Sequence, residues 1–231
     1  MAQNLAIVGY GKMGKFIEQL APEYGFSVAL KLDEFNNADY AAMTKENFAG
    51  IDVAIEFSVP KATVGNIEKL AGLGVNTVVG TTGWLDELEH VRQVVDRAGA
   101  GLVWSPNYSI GVNVFMRLVA EASRLLAEYP EYGAWAWEIH HITKKDAPSG
   151  TLLKLVEEMK AAGFPRPIDQ SASRAGAHPG THEIGFDSAA DTITLRHAAR
   201  SREGFVRGAL RAAQWIVGKQ GFYEFKEILF R

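Results

Sequence analysis

The feature that most constrains the fold is a glycine-rich turn between a strand-like run and a helical pattern. The apolar run at residues 5–8 leads into Gly9-Tyr10-Gly11-Lys12-Met13-Gly14, after which apolar side chains recur at helical spacing. In such a unit the first glycine permits a tight turn, the second lets the backbone approach a pyrophosphate, and the third lets the helix pack against the strand. Backbone N–H groups at the helix start then face the phosphates. The segment therefore predicts a dinucleotide-binding domain in which Gly9, Gly11, Lys12, Met13 and Gly14 contact the cofactor.

The order of the remaining elements predicts two domains. Strand-like runs at residues 26–32, 51–57, 75–79 and 102–104 alternate with helical patterns, which is typical of a parallel sheet with helical crossovers. After residue 107 the rhythm changes: we expect helices at 110–129, 149–162 and 205–217, and strands at 134–141, 185–188 and 192–198. The predicted fold class is α/β, with a Rossmann-like parallel-sheet domain at residues 1–109 and a smaller α+β domain at residues 110–200.

An acidic residue indicates which dinucleotide is bound. Asp33 ends the second predicted strand about 20 residues beyond the glycine turn, where a carboxylate binds the ribose hydroxyls of NAD. A carboxylate at this position repels the 2′-phosphate of NADP, and Glu34 adds a second negative charge. We therefore expect NADH or NADPH to bind, with NADH favoured, while Lys12 leaves use of both open. The alternative for Asp33 is an ordinary turn residue at a strand end.

Two further loops follow predicted strands, at the edge where parallel sheets bind ligands. The loop Gly80-Thr81-Thr82 offers hydroxyls and unobstructed backbone, and the loop Ser105-Pro106-Asn107-Tyr108 offers an amide that could orient a nicotinamide carboxamide. Either loop alone would more often be simple turn chemistry. Their shared placement favours a role in cofactor binding.

Residues 138–151 combine proton-transfer groups with a predicted anion site. His140 and His141 are adjacent, Lys144 and Lys145 follow, and Ser149-Gly150-Thr151 begins a predicted helix. Imidazoles move protons near neutral pH, and lysines and free N–H groups at a helix start bind anions. The segment predicts an enzyme that acts on a small acidic substrate, although a plain helix cap and solvated lysines are the alternatives. We expect no metal site, because these histidines lack a third ligand at a standard spacing.

Composition excludes several other classes of protein. The 231 residues carry a formal net charge of -3, which argues against a nucleic-acid binder, and no apolar run approaches the roughly 20 residues that cross a bilayer. The sequence has no cysteine, so thiolate chemistry and disulfides are excluded. The start of the chain shows no secretory pattern, and we expect a cytoplasmic protein without a membrane or nucleic-acid partner.

Several motifs together resemble one enzyme family. The segment Glu138-x-His140-His141-x-x-Lys144-x-Asp146-Ala147-Pro148-Ser149-Gly150-Thr151 closely resembles the signature of the 4-hydroxy-tetrahydrodipicolinate reductases, also called dihydrodipicolinate reductases, of lysine and diaminopimelate biosynthesis. The resemblance extends along most of the chain and includes shorter motifs at residues 12–14, 79–83, 106–112, 174–176, 179–182 and 197–202. The histidine segment is highly specific, whereas the glycine turn alone is not.

The resemblance implies roles for residues in both domains. It makes His140 the acid/base residue and Lys144 a proton donor, and it assigns the substrate's carboxylates to His141, Gly150 and Thr151. Ser149, at the same predicted helix start, is also expected to bind substrate. The implied reaction is hydride transfer from a reduced nicotinamide to C4 of a cyclic imine dicarboxylate. The resemblance further implies that residues 201–231 return to the first domain and that the second domain forms a homotetramer through its sheets.

The chain departs from the family pattern in two respects. It is shorter than many members, with the missing length in loops of the nucleotide half and before Arg174. In addition, Glu34 replaces the basic residue that often follows the ribose-binding acid, which agrees with a preference for NADH. Two alternatives stay open from the residues alone: another Rossmann dehydrogenase of amino-acid metabolism, such as a homoserine or aspartate dehydrogenase, and a non-catalytic dinucleotide-sensing module.

Overall fold

The structure is a computed structural model that describes residues 2–231. It divides into two compact units: one comprises the chain up to Ser109 together with Phe205–Arg231, and the other comprises Ile110–Gly204. Each unit has hydrophobic core clusters of its own. None of the helices in residues 2–231 has the length and apolar character that crossing a membrane requires.

The first unit is built on a six-stranded parallel sheet. Its strands are β1 (Gln3–Val8), β2 (Phe26–Leu32), β3 (Val53–Glu56), β4 (Asn76–Val79), β5 (Gly101–Trp104) and β10 (Gly221–Glu224), in the spatial order β10-β5-β4-β3-β1-β2. Every residue of β3 is buried, as expected for a central parallel strand with both faces covered. From β1 the chain runs to β2 on one side of it, and then crosses to β3 on its other side. In sheets of this kind, ligands bind at the carboxyl ends of the strands, beside the point where the strand order reverses. The predicted Rossmann-like sheet is confirmed.

Helices cover this sheet. They are α1 (Lys12–Leu20), α2 (Pro60–Gly72), α3 (Leu88–Ala98), most of α6 (Glu203–Ile216), and the short α7 (Phe225–Leu229). Helix α2 begins at Pro60, whose missing N–H costs nothing at the first helical position. The long C-terminal helix α6 buries seven residues, so its contribution is mainly to the core of the first unit.

The second unit contains a four-stranded mixed sheet and two helices. The strands are β6 (Gly133–His140), β7 (Ile168–Arg174), β8 (Thr181–Asp187) and β9 (Thr192–Ala198), in the order β7-β6-β8-β9. Strands β6 and β7 are parallel, while β6–β8 and β8–β9 are antiparallel. Helices α4 (Ile110–Leu126) and α5 (Gly150–Ala161) pack with this sheet around a core that includes Phe115, Leu152 and Phe186. The predicted smaller α+β part is confirmed.

Several details differ from the sequence predictions. The strand predicted for 185–188 is longer and spans Thr181–Asp187 as β8. Strands β7 and β10 were not expected: β7 is mostly polar and exposed, and β10 is only four residues long. The strand predicted for 134–141 ends at His140, so His141 lies outside the sheet. The helix predicted for 110–129 ends at Leu126, where the guanidinium of Arg166 donates to the carbonyls of Leu126 and Ala127 at 2.6 and 3.3 Å. These bonds satisfy carbonyls that the end of a helix leaves unpaired.

Candidate active site

The glycine turn joins β1 to α1 in the first unit. Gly9 has a φ of +96°, and a Cβ there would overlap the backbone carbonyl of Phe57, so only glycine fits. Gly11 faces open space, with nothing within 4 Å of a Cβ built on it. Helix α1 begins at Lys12, so Met13 and Gly14 lie in its first turn. This arrangement leaves backbone N–H groups available at the helix start for an anion.

A cavity of about 480 Å³ opens beside the turn. Five residues of the glycine turn and the acidic pair line it: Gly9, Tyr10, Gly11, Asp33 and Glu34. Oδ1 of Asp33 accepts hydrogen bonds from the N–H groups of Phe35 and Asn36 at 2.9 and 3.2 Å, which hold the carboxylate in place. Lining residues that sequence reasoning did not identify include Phe35, Asn37, Tyr40, Phe57, Ser58 and Asn66. The cavity combines a phosphate-binding turn with a fixed carboxylate, which fits the adenosine and pyrophosphate parts of a dinucleotide.

The two later cofactor loops lie at the carboxyl ends of adjacent strands. Gly80 follows β4, and a Cβ there would overlap the Phe57 ring, so this glycine allows the ring to pack against the loop. The Thr81 side chain is buried, whereas Thr82 is exposed. Thr82 is therefore the loop residue whose side chain can reach a ligand.

In the loop after β5, most side chains hold the loop itself. The hydroxyl of Tyr108 is buried and donates to the carbonyls of Val79 and Val103 at 3.0 and 2.9 Å. Ser105 is also buried, and its Oγ donates to the Asn107 carbonyl at 2.8 Å. Tyr108 and Ser105 can therefore contact a cofactor only through their backbone, whereas Pro106 is exposed and Asn107 is half-buried.

A buried carboxylate organises the predicted proton-transfer residue His140 and its neighbours in the second unit. Glu138 and His140 lie two residues apart in β6, so their side chains share one face of the strand. The carboxylate of Glu138 is fully buried. Its Oε1 accepts from the Ser149 N–H and from Nη2 of Arg174, both at 2.8 Å, and its Oε2 is hydrogen-bonded by the Ser149 hydroxyl. Nε2 of His140 and Nε2 of His182 lie 3.4 and 3.3 Å from the same oxygen.

These contacts determine the charges of the site. Burial by itself raises the pKa of Glu138, but hydrogen bonds from His182, Ser149 and Arg174 outweigh it and hold that pKa well below its usual range. Burial is the largest cause that lowers the pKa of His140 to about 4, against the opposing attraction of Glu138. At neutral pH the site therefore contains an ionised Glu138 and an uncharged His140 imidazole, which can accept a proton.

The remaining predicted substrate residues lie in the loop that follows β6 and in the first turn of α5. Nδ1 of His141 lies 2.8 Å from the Thr143 hydroxyl, and Nζ of Lys144 lies 2.8 Å from Oδ1 of Asp146. Gly150 is exposed and Thr151 is half-buried at the start of α5. Ser149 differs from the expectation, because its hydroxyl is buried, bonds Glu138 and accepts from the Leu152 N–H at 3.2 Å. Its side chain caps the helix and is not directed to a ligand.

In the sequence, Glu138 is the first residue of the histidine motif and orients or packs, while His182 and Arg174 were assigned no role. Both lie in motifs that the resemblance included, at residues 179–182 and 174–176. The register of β6 and β8 sets Glu138 directly opposite His182, and that of β6 and β7 sets His140 opposite Arg174. The motifs could have marked His182 and Arg174 as functional residues, but their contacts with Glu138 follow only from the pairing of the strands.

Comparisons with known proteins cover nearly the whole chain. Family models described as the N-terminus and the C-terminus of dihydrodipicolinate reductase match residues 3–108 and 111–229. A 4-hydroxy-tetrahydrodipicolinate reductase of Christiangramia forsetii is 35% identical over 240 residues, which cover 98% of this chain and 97% of the relative. One of Methanosarcina mazei is 38% identical over 194 residues, which cover 77% and 73%.

Solved structures show the same fold. A dipicolinate-bound dihydrodipicolinate reductase from Paenisporosarcina sp. TG-14 matches with a TM-score of 0.79 at 22% identity, and the match covers 99% of this chain and 100% of that one. An aspartate dehydrogenase from Thermotoga maritima matches with a TM-score of 0.51 at 13% identity, over 95% of this chain and 98% of that one. Likenesses at these identities concern the fold alone.

Proposed function

Because this chain belongs to the dihydrodipicolinate reductase family, we propose that it reduces 4-hydroxy-tetrahydrodipicolinate to tetrahydrodipicolinate in lysine and diaminopimelate biosynthesis. It is an oxidoreductase that uses a nicotinamide dinucleotide. The observation that carries the proposal is the second unit's combination of an uncharged His140, a nearby Lys144 and an exposed helix start at Gly150. A small dicarboxylate needs such cationic and N–H groups for binding and a proton source for turnover.

The proton chemistry is divided between two residues. When bound, the reduced nicotinamide supplies a hydride to C4 of the conjugated imine. Lys144 is a proton donor, and the neutral imidazole of His140 accepts and returns protons during turnover. The 4-hydroxyl group leaves as water to form the conjugated imine. Hydride addition at C4 then displaces a π electron pair of the conjugated system, and these two residues supply the proton that this pair takes up. His141, Gly150 and Thr151 bind the substrate's carboxylates, and Ser149 contributes by capping the helix that presents them.

The cofactor is held by the first unit. The turn Gly9–Gly14 binds the pyrophosphate, Asp33 binds the ribose hydroxyls, and the loops Gly80–Thr82 and Ser105–Tyr108 contact the nicotinamide half. We expect NADH to be favoured over NADPH. Asp33 and Glu34 line one cavity, and two carboxylates beside the ribose would repel the 2′-phosphate of NADPH. A homotetrameric assembly and a cytoplasmic location are also proposed, and light scattering on a sizing column tests the assembly.

The proposed reductase activity is tested by following the fall in absorbance as NADH or NADPH is oxidised during turnover. Substrate is generated in situ from aspartate semialdehyde and pyruvate by the preceding synthase. Rapid oxidation by the wild type should be largely lost in His140→Gln, while His90→Gln should retain it because His90 is a surface residue of the first unit. Nucleotide binding without turnover by the wild type would favour the sensing module, and turnover only of another amino-acid intermediate would favour the other dehydrogenases.

A further inference from the structure

Three potential metal ligands from two neighbouring strands converge in the second unit. Nε2 of His140 lies 3.4 Å from Nε2 of His182 and 3.4 Å from Oε2 of Glu138, and the latter two atoms are 3.3 Å apart. The three atoms form a nearly equilateral triangle. Within residues 2–231, no other group of three histidine or acidic side chains brings its donor atoms this close together.

The edges of this triangle have the length that a small tetrahedral ion requires. Zinc bonds nitrogen and carboxylate oxygen at about 2.0–2.1 Å, so tetrahedral angles separate its ligand atoms by about 3.3–3.4 Å. Two histidines and one glutamate, with a position left open, are also a donor set that zinc enzymes use.

Neighbouring groups hold the ligands in this orientation. Oε1 of Glu138 is bonded by the Ser149 N–H and the Arg174 guanidinium at 2.8 Å each, which turns Oε2 towards the two imidazoles. Such outer contacts orient ligating carboxylates in metal sites. Gly180 packs against His140, since a Cβ on it would come within 2.8 Å of Cε1 of that ring. The positive charge of Arg174 lowers the affinity for a cation, but it contacts the oxygen that faces away from the triangle.

The site has one accessible side. The side chains of Glu138 and His182 are 0% and 7% exposed, whereas that of His140 is 12% exposed. The Ser149 hydroxyl lies 3.2 Å from Nε2 of His182 and occupies the inner side of the cluster. A fourth ligand such as water therefore approaches from the side of His140.

We propose that Oε2 of Glu138, Nε2 of His140 and Nε2 of His182 bind one divalent transition-metal ion of the size and preference of Zn²⁺. Both imidazoles then bind through Nε2 and carry their proton on Nδ1. A metal ion on Nε2 of His140 takes the electron pair that would accept a proton. Binding of Zn²⁺ should therefore inhibit the reductase, and a chelator should restore its activity. This expected inhibition, unlike the metal binding itself, rests on the function proposed above.

The site itself is tested by metal titration, which does not depend on turnover. The full chain is treated with EDTA, dialysed and titrated with Co²⁺, whose visible absorption reports tetrahedral coordination, and then with Zn²⁺ by calorimetry. We expect one ion per chain. His182→Gln and His140→Gln, each checked for folding by circular dichroism, should weaken binding at least about tenfold, because each removes a ligand.

A matched control separates this site from adventitious binding at the surface. His90 lies 2.7 Å from Glu68 in the first unit, which makes a histidine–carboxylate pair without a third ligand. His90→Gln should bind Co²⁺ and Zn²⁺ as the wild type does. The proposal is overturned if no tetrahedral absorption appears, if both cluster variants bind like the wild type, or if Zn²⁺ binds without inhibiting an active enzyme.

Discussion

Glu138→Gln should lower the free energy of unfolding of the second unit by about 3–5 kcal/mol, the usual cost of removing one partner from a buried ion pair. The carboxylate of Glu138 is fully buried, and the Arg174 side chain that bonds it is only 13% exposed. Glutamine keeps the size of the side chain but removes its charge, which leaves the Arg174 guanidinium without a counter-charge. Its amide oxygen can take the place of Oε1, which accepts from the Ser149 N–H and Arg174, but its NH₂ group then puts a donor where Oε2 accepts from the Ser149 hydroxyl. Because water has little access to Arg174, the lost interaction is not replaced.

The matched control is Glu183→Gln in the neighbouring strand β8. Glu183 lies 3.4 Å from Nη1 of Arg196, and its own side chain is 18% exposed, but the Arg196 side chain is 57% exposed, so water screens the pair. An exposed pair of this kind contributes about 0–1 kcal/mol. The two substitutions make the same chemical change in one sheet, so the difference between them measures what burial and the hydrogen bonds to Glu138 contribute.

The assay is urea unfolding followed by circular dichroism and tryptophan fluorescence, with EDTA present so that no metal ion contributes. Since the pKa of Glu138 is held below its usual range, its stabilising effect is fully present above the unfolded value of about 4.3 and is lost as the pH falls further. The deficit of Glu138→Gln should therefore be full at neutral pH and smaller below about pH 4. A deficit no larger than that of Glu183→Gln, or one that is independent of pH, would refute the reasoning.

Three further substitutions test other parts of the structure. Gly185→Ala should destabilise the second unit by about 1–3 kcal/mol in urea, because a Cβ would overlap the Trp135 indole; an unchanged midpoint would contradict that packing. Tyr108→Phe should cost about 1–3 kcal/mol, since two buried carbonyls lose the donor that lies 3.0 and 2.9 Å away, and a thermal melt without a shift would count against it. Burial raises the pKa of Glu56, so the wild type loses stability as the pH rises from about 4.5 towards that pKa. Glu56→Gln should avoid this loss and be more stable than the wild type at neutral pH but not near pH 4, and equal differences at both pH values would refute it.

Much of the first unit is predictable because its signals are local. Residues 5–8 form a buried run that ends in the glycine turn. A Cβ on Gly9 would overlap the backbone of Phe57, which explains why this position of the turn is glycine. The run at 26–32 is reproduced residue for residue as β2. By contrast, β10 is four residues long and is held by pairing with β5, a partner more than a hundred residues earlier. A strand of four residues is too short to show the alternation of apolar and polar residues from which strands are predicted.

The same limit applies to the candidate site. His140, Lys144 and Gly150 share one linear motif, so the sequence predicts them together. His182 is 44 residues from Glu138, and Arg174 is carried by β7, whose sequence neither alternates nor is apolar. Only the pairing of β6 with β7 and β8 brings these side chains to one carboxylate. The sequence did not predict the proposed metal site, because its third ligand, His182, lies in β8 and not in β6.

Glu138 also determines how the loop that carries His141 and Lys144, residues proposed above to act on the substrate, is attached. The loop at residues 141–149 leaves the sheet directly after His140 and ends at Ser149, where both the N–H and the hydroxyl bond the Glu138 carboxylate. The loop therefore begins and ends at the same buried group, while most of the residues between are exposed. Loss of this carboxylate should thus impair substrate binding and proton transfer together, because both depend on where the loop begins and ends.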